Sequence, residues 1–250
     1  MPSRPGLKVL LLASAFALGC EARSQLGVDG GASAAAPAAP TGALSALPPA
    51  GPSVTPVPPD LLNAEIYAGN VYLAVDAGKW ARATRELPDL EQAVREFRRE
   101  TLGQSEDVQL LDETVERLRA AVAGQERIDA LRAANEATLI TTNLAEPYAP
   151  LVPPDVDRLG YYGRALQILA ESNDRAKLTA EAAELARTWA GVKPFVVQHA
   201  GVALAERFEA SVRALEKEQE PSRLEDLASA ELDELRVVRH AITDTPRALR

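Results

Sequence analysis

The densest collection of chemically capable side chains in this 250-residue protein is Asp155-Val156-Asp157-Arg158-Leu159-Gly160-Tyr161-Tyr162-Gly163-Arg164. Carboxylates, guanidinium groups and phenols this close together can hold a polar ligand through charge-assisted hydrogen bonds, or satisfy one another inside a core. At helical spacing Asp157, Tyr161, Arg164 and Ile168 share one side, and Asp155, Arg158 and Tyr162 the adjoining side. A second stretch, Ala133-Ala134-Asn135-Glu136-Ala137-Thr138, sets the Asn135 amide and Thr138 hydroxyl among small residues that permit close helix approach, and Tyr67 and Asn70 are placed to join them. Two readings fit. In one, Tyr67, Asn70, Asn135, Thr138, Asp157, Arg158, Tyr161, Tyr162 and Arg164 form a polar pocket for a small ligand or peptide. In the other they are a buried hydrogen-bond network that fixes helix register.

Other chemistries have less support. Only two histidines exist. His199, with Phe195, Val196, Val202 and Ala203 as helical neighbours, is a weak metal candidate, and His240 with Asp244 makes an ordinary surface pair. No His-Glu-x-x-His or Glu-x-x-His pair, Gly-x-Ser-x-Gly elbow or phosphate loop is present, so no cofactor and no catalytic residue is assigned. Convergence of three or more of Glu65, Asp76, Glu136, Asp155, Asp157, Glu171 and His199 in one cavity would favour ion handling, and their dispersal over the surface would count against it. Trp80 and Trp189 fit core anchors better than a sugar platform.

The elements that must position these groups are helices. Beyond Asp60 the chain is rich in Ala, Leu, Glu and Arg, and apolar residues recur at helical spacing: Leu62, Ile66, Gly69, Leu73; Leu111, Val115, Leu118, Val122; Leu224, Leu227, Ala228, Leu232, Leu235. An all-α antiparallel bundle of about eight helices is expected over 60–245, with a tail at 246–250. The punctuation predicts a first helix ending at Ala77-Gly78, a second with a break or kink at Pro88 that stops at Gly103, and a third capped by Ser105 and ending at Gly124. A fourth runs to about Glu146. A fifth spans Pro154 to Ser172, Asn173 caps the sixth, Pro194 opens the seventh, and Ser222-x-x-Glu225 boxes the last. Aligning 67–98 with 162–193 pairs Tyr67 with Tyr162, Ala81 with Ala176, Thr84 with Thr179, Glu86 with Glu181 and Leu90 with Leu185. Two related four-helix halves, 60–150 and 151–245, or one unduplicated up-down bundle both accommodate this.

The chain carries a formal charge of −9 and no basic cluster, which excludes nucleic acid as a natural partner. Residues 21–59 are rich in Pro, Ala, Gly and Ser and lack the apolar side chains needed to offset chain entropy, so 20–59 is expected to be a disordered tether, roughly 35 Å end to end as a random coil. Its one cysteine, Cys20, follows Arg4, Lys8 and the apolar run Val9–Leu18, which is too short to span a bilayer and reads as a secretory signal.

Ala17-Leu18-Gly19-Cys20 resembles a bacterial lipoprotein signal, although Leu is the family's preference at the place of Ala17. The alternative is an ordinary signal cut after Ala13-Ser14-Ala15 or Ala15-Phe16-Ala17. The resemblance implies a signal peptide over 1–19 and covalent lipid, palmitate included, on Cys20. With Glu21 next, it implies sorting to the outer membrane, lipid-anchored and facing the periplasm, with the membrane as a partner through the anchor. Two or three acyl chains make such attachment practically permanent. Imelysin-like periplasmic proteins have a similar architecture, but their His-x-x-Glu motif is absent from His199-Ala200-Gly201-Val202 and His240-Ala241-Ile242-Thr243. The resulting expectation is a non-enzymatic binding or scaffold domain with a protein partner or small ligand. The alternative is a metal- or ion-handling accessory with a carboxylate-rich site.

Cys20→Ala is expected to move the protein from the membrane to the soluble fraction on ultracentrifugation. Equal partitioning of the two forms would overturn the lipid anchor.

Overall fold

The computed structural model describes residues 55–101, 105–148 and 150–244. Cys20, the signal, the tether up to residue 54, Gly103 and the 246–250 tail lie outside the described residues. Among the described residues the chain is all-α: α1 (Pro59–Asp76), α2 (Trp80–Glu100), α3 (Glu106–Gly124), α4 (Arg127–Ala145), α5 (Pro154–Glu171), α6 (Arg175–Ala200), α7 (Val202–Lys217) and α8 (Pro221–Asp244), with a 3-10 turn at Glu146–Tyr148. None of these helices is long and apolar enough to cross a membrane.

Local chemistry sets most boundaries. Ser105 accepts a hydrogen bond from the Val108 amide at 3.1 Å, and Glu106 and Asp107 follow in the first turn of α3, where carboxylates complement the helix dipole. Pro59 and Pro154 stand in the first turns of α1 and α5, where a missing N–H costs nothing.

Several expected punctuation marks act differently. Pro88 does not break α2, and Pro194 lies inside α6 rather than opening α7. Both prolines are exposed, so the carbonyls they deprive of partners can bond water. The apolar positions Trp189, Val192 and Val196 continue unbroken past Pro194 into the core. α6 ends instead at Gly201, whose φ of 91° and ψ of 157° are open to glycine and strained for other residues. Asn173 sits in the left-handed region at φ 55° and turns the chain, while Asp174 caps α6 by accepting from the Lys177 amide at 3.3 Å. Ser222 falls inside the first turn of α8, which starts at Pro221, and so is not its N-cap.

The helices form two groups, each with its own core. α1 packs on α2 and α4, and α3 on α4, around Val71, Leu90, Leu111, Leu118 and Leu131. α5 packs on α6 and α8, and α7 on both α6 and α8, around Leu166, Leu185, Trp189, Phe208 and Leu235. Each such side chain contributes roughly 1.5–3 kcal/mol by leaving water. The groups join where α4 meets α5, and Ile168 of α5 reaches into the first core.

The two groups repeat one another in register. The α1–α2 turn has Gly78 at φ 66° and bonds from Gly78 N to Val75 O and Lys79 N to Ala74 O; the α5–α6 turn has Asn173 at φ 55° and bonds from Asn173 N to Ala170 O and Asp174 N to Leu169 O. Buried Val71 and Leu90 are matched by Leu166 and Leu185. Val108, Leu111, Val115 and Leu118 on α3 are matched by Ala205, Phe208, Val212 and Leu215 on α7. Leu131, Ala134, Thr138, Thr141 and Ala145 on α4 are matched by Ala228, Glu231, Leu235, Val238 and Ile242 on α8.

Gly201→Ala is expected to cost about 1–3 kcal/mol through its positive φ, lowering the urea midpoint. Pro194→Ala should raise it by restoring an intrahelical hydrogen bond. The opposite order would mean that the helix boundary lies at Pro194.

Candidate functional site

Between α1 and α8 runs a cleft of about 510 Å³, floored by α4 and α5. That volume lies within the range of sites for small molecules. Its apolar wall is Ile66 and Leu73 of α1 with Leu232 and Leu235 of α8. Ile66 and Leu73 are 58% and 60% exposed. They belong to the stripe Leu62, Ile66, Gly69, Leu73, whereas the core face of α1 is Leu61, Ala64, Ala68, Val71, Tyr72 and Val75. The helical period is real, but this stripe faces the cleft and solvent.

Polar bridges close both ends. At one, the Tyr72 hydroxyl donates to Gln167 Oε1 at 3.2 Å, and Gln167 Nε2 donates to Ser229 Oγ at 2.8 Å, linking α1, α5 and α8. At the other, Arg239 of α8 pairs with Asp157 of α5 (Nη1 to Oδ1, 2.7 Å) and Glu65 of α1 (3.9 Å). The span from Asp157 to Gln167 along α5 is roughly 15 Å. A smaller cavity of about 160 Å³ lies beyond the Arg239 bridge.

Arg164 lies between the bridges. Its Nε donates to Asn135 Oδ1 at 2.7 Å and its Nη2 to Thr138 Oγ1 at 2.8 Å, while Asn135 Nδ2 donates to the Tyr161 carbonyl at 3.0 Å. The guanidinium carbon stands 5.5 Å from the centre of the Tyr72 ring, a cation–π contact. Burial pushes the guanidinium below its ordinary pKa, yet an arginine keeps its charge.

Two carboxyls near it are unusual. Burial pushes Asp157 up to about 7, against the opposing pull of Arg239. Glu231 of α8 is fully buried, and neither of its carboxyl oxygens has a hydrogen-bond partner among the described residues. Burial raises it well above the usual carboxylate range, with Arg164 opposing. Gly163 makes room for it: a Cβ there would stand 2.2 Å from Glu231 Oε2 and 2.9 Å from Leu232 Cδ2.

The nine residues singled out by sequence therefore separate. Asn70, Thr138, Asp157 and Arg164 line the cleft, and Asn135 braces Arg164 beneath it. Asn70 also donates to Glu86 at 3.2 Å. Tyr67 packs on the first core. Arg158 points along the α4–α5 seam to Asn143 (2.8 Å), Asp155 (2.7 Å) and Glu146. Tyr161 and Tyr162 meet edge to face at 5.2 Å. Burial pushes Tyr161 up to about 12 and also raises Tyr162, which bonds Thr188 of α6. Sequence reasoning overlooked Tyr72, Gln167, Glu231 and Arg239. Glu231 and Arg239 are lost among the many charges of α8, and Tyr72 and Gln167 among residues that read as core or surface.

Of the residues named for the ion-handling alternative, Glu65, Asp76 and Asp157 line this one cleft, while Glu136, Asp155, Glu171 and His199 are not part of its lining. Glu65 and Asp157 share Arg239, Asp76 and Glu171 share Arg127, Glu136 pairs with Arg117 and Asp155 with Arg158. Among the described residues no three His, Cys, Asp or Glu side chains are placed to hold a metal ion. His199 stacks on Phe195 at 4.0 Å with Nδ1 2.9 Å from its carbonyl, and His240 pairs with Asp244 at 3.0 Å. No family model matches the chain, and neither a curated protein nor a solved structure matches it.

Glu231→Met, of similar volume, is expected to stabilise the protein by about 1–3 kcal/mol at neutral pH, because it removes a carboxyl buried without a hydrogen-bond partner. A raised carboxyl pKa means that the folded state holds a proton the unfolded chain has released, so wild-type stability falls as pH rises above the ordinary carboxylate range. The gap between variant and wild type should widen from pH 4 to pH 8 in urea titrations. A gap independent of pH would contradict the assignment.

Proposed function

We propose that the protein is a lipoprotein, held by acylated Cys20 to the outer membrane and facing the periplasm, and that its helical part is a non-enzymatic binding module with the α1–α8 cleft as its site. The observation that carries this reading is an exposed apolar wall inside a cavity bounded at both ends. Single exposed apolar side chains are ordinary. Here Ile66 and Leu73 share one helix face and open onto the same cavity as Leu232.

Gly69 adds to this. It stands inside α1 and lines the cleft, and a Cβ built on it would meet nothing within 4 Å. An interior helix glycine costs roughly 0.5–1 kcal/mol relative to alanine, and no packing constraint here requires one. Its effect is to keep the cleft open. The polar bridges at either end favour a compact molecule over a helix or strand running through. The tether expected over 20–59 would let such a module sample the space around its anchor.

N-phenylnaphthylamine, an uncharged apolar probe, should gain fluorescence on the full chain carrying Cys20→Ser and saturate at one probe per chain. Gly69→Phe, which fills open space, should fold normally and lose most of that signal. Equal signals from both proteins would remove the cleft as the binding site.

A further inference from the structure

Resting on the reading of the cleft as a ligand site, we infer that its ligand is an amphipathic monocarboxylate: a free alkyl carboxylate whose charged head meets Arg164 and whose chain lies along Ile66, Leu73 and Leu232.

Charge accounting within the cleft leads to this. Four carboxylates and three arginines line it; Glu65 and Asp157 share Arg239, Asp233 pairs with Arg236, and Asp76 pairs with Arg127 from outside the lining, which Glu171 also contacts. Arg236 and Arg239 are thereby engaged. Arg164 is the third arginine of the lining, and among the described residues no carboxylate forms an ion pair with it. Its hydrogen-bond partners are the neutral oxygens of Asn135 and Thr138, so its charge is held without a directly paired carboxylate. Glu231, the acid behind Gly163, makes no hydrogen bond to it.

The free edge of the guanidinium is accessible. With Nε and Nη2 engaged on α4, Nη1 lies beside Gly160, 3.4 Å from where a Cβ would stand, and Gly160 lines the cleft. An anionic oxygen placed there would receive a charge-assisted hydrogen bond in a partly desolvated setting, where such bonds are strongest. The acids nearby limit how much negative charge can enter, which favours a monoanion over a dianionic phosphate. From Ile66 to Leu73 the apolar wall extends roughly 10 Å along α1, enough to cover an alkyl chain of moderate length.

The test uses decanoate, decanol and decylamine, below their aggregation limits, with the full chain carrying Cys20→Ser, followed by calorimetry and by NMR shift mapping. Decanoate should bind about tenfold more tightly than the other two, shift the resonances of Arg164, Gly160, Ile66 and Leu73, and lose about tenfold in affinity in Arg164→Met. The shift map on the unmutated site keeps the assignment testable if Arg164→Met is unstable. If decanol or decylamine binds in the cleft as tightly as decanoate, the carboxylate inference fails while the binding site stands. If all three probes leave the cleft resonances unmoved and N-phenylnaphthylamine also fails to bind, both readings fall.

Discussion

The attachment of Arg164 to Asn135 and Thr138 is the contact on which the arrangement depends. Each four-helix group has its own core, and the groups meet chiefly through α4 and α5. There the guanidinium donates to two oxygen acceptors, and the Asn135 amide donates in turn to the Tyr161 carbonyl. Three directional bonds across one helix pair define its register far more sharply than apolar packing alone, since methyl groups slide over one another at little cost. The repeat shows what happens without this set. In register, Arg164 corresponds to Gly69 and Asn135 to Leu232. The α1–α8 junction therefore has a glycine and a leucine where α4–α5 has a hydrogen-bonded pair, and that is where the cleft lies.

The same comparison locates the energetic oddity of the fold. Where the first group has Ala68 and Ala134, both fully buried, the second has Gly163 and Glu231. Removing one Cβ from α5 gives the space that a carboxyl on α8 occupies, and the helices stay close. The exchange is unfavourable on both sides: an interior glycine gives up helix propensity, and a carboxyl without hydrogen-bond partners loses its hydration. Burial is the main cause of the raised pKa of both Glu231 and Asp157, and arginine is the opposing influence in each case. The region around Arg164 thus holds protons more tightly than the exposed surface does, close to a fixed positive charge.

Much of this was legible in the sequence, for reasons that also mark the limits. Ser105 followed by two acids can cap a helix only in one way, and the tight turns at Gly78 and Gly124 admit few alternatives. Pro88 and Pro194 misled because a proline's effect depends on which way its missing bond faces, a tertiary property; the uninterrupted spacing of Trp189, Val192 and Val196 was the better guide. The stripe Leu62, Ile66, Gly69, Leu73 has helical period, but periodicity names a face without saying what covers it. The polar run from Asp155 to Arg164 was visible as a cluster, yet consecutive helical residues turn by about 100°, so it divides among the cleft, the α4–α5 seam and α6. Glu231 gave no signal, since a glutamate in a charged helix is ordinary until a partner helix buries it.

The locally unfavourable choices in this fold are concentrated rather than scattered. Gly69 leaves open space inside a helix, Ile66 and Leu73 stay wet, Arg164 lacks a carboxylate partner, and Glu231 and Asp157 carry their charge poorly. All but Glu231 line one cleft, and Glu231 lies just behind its floor. If these were only the tolerated imperfections of a helical scaffold, they should be shared between the two corresponding junctions, α4–α5 and α1–α8, because the groups repeat each other in register. The α4–α5 junction has its hydrogen bonds from Arg164 to Asn135 and Thr138, and neither of its helices carries a large exposed apolar side chain. Proteins depart from local consistency mainly where something other than stability is being selected. On that argument the cleft is where the fold gives up most local stability, and the repeat supplies the internal control.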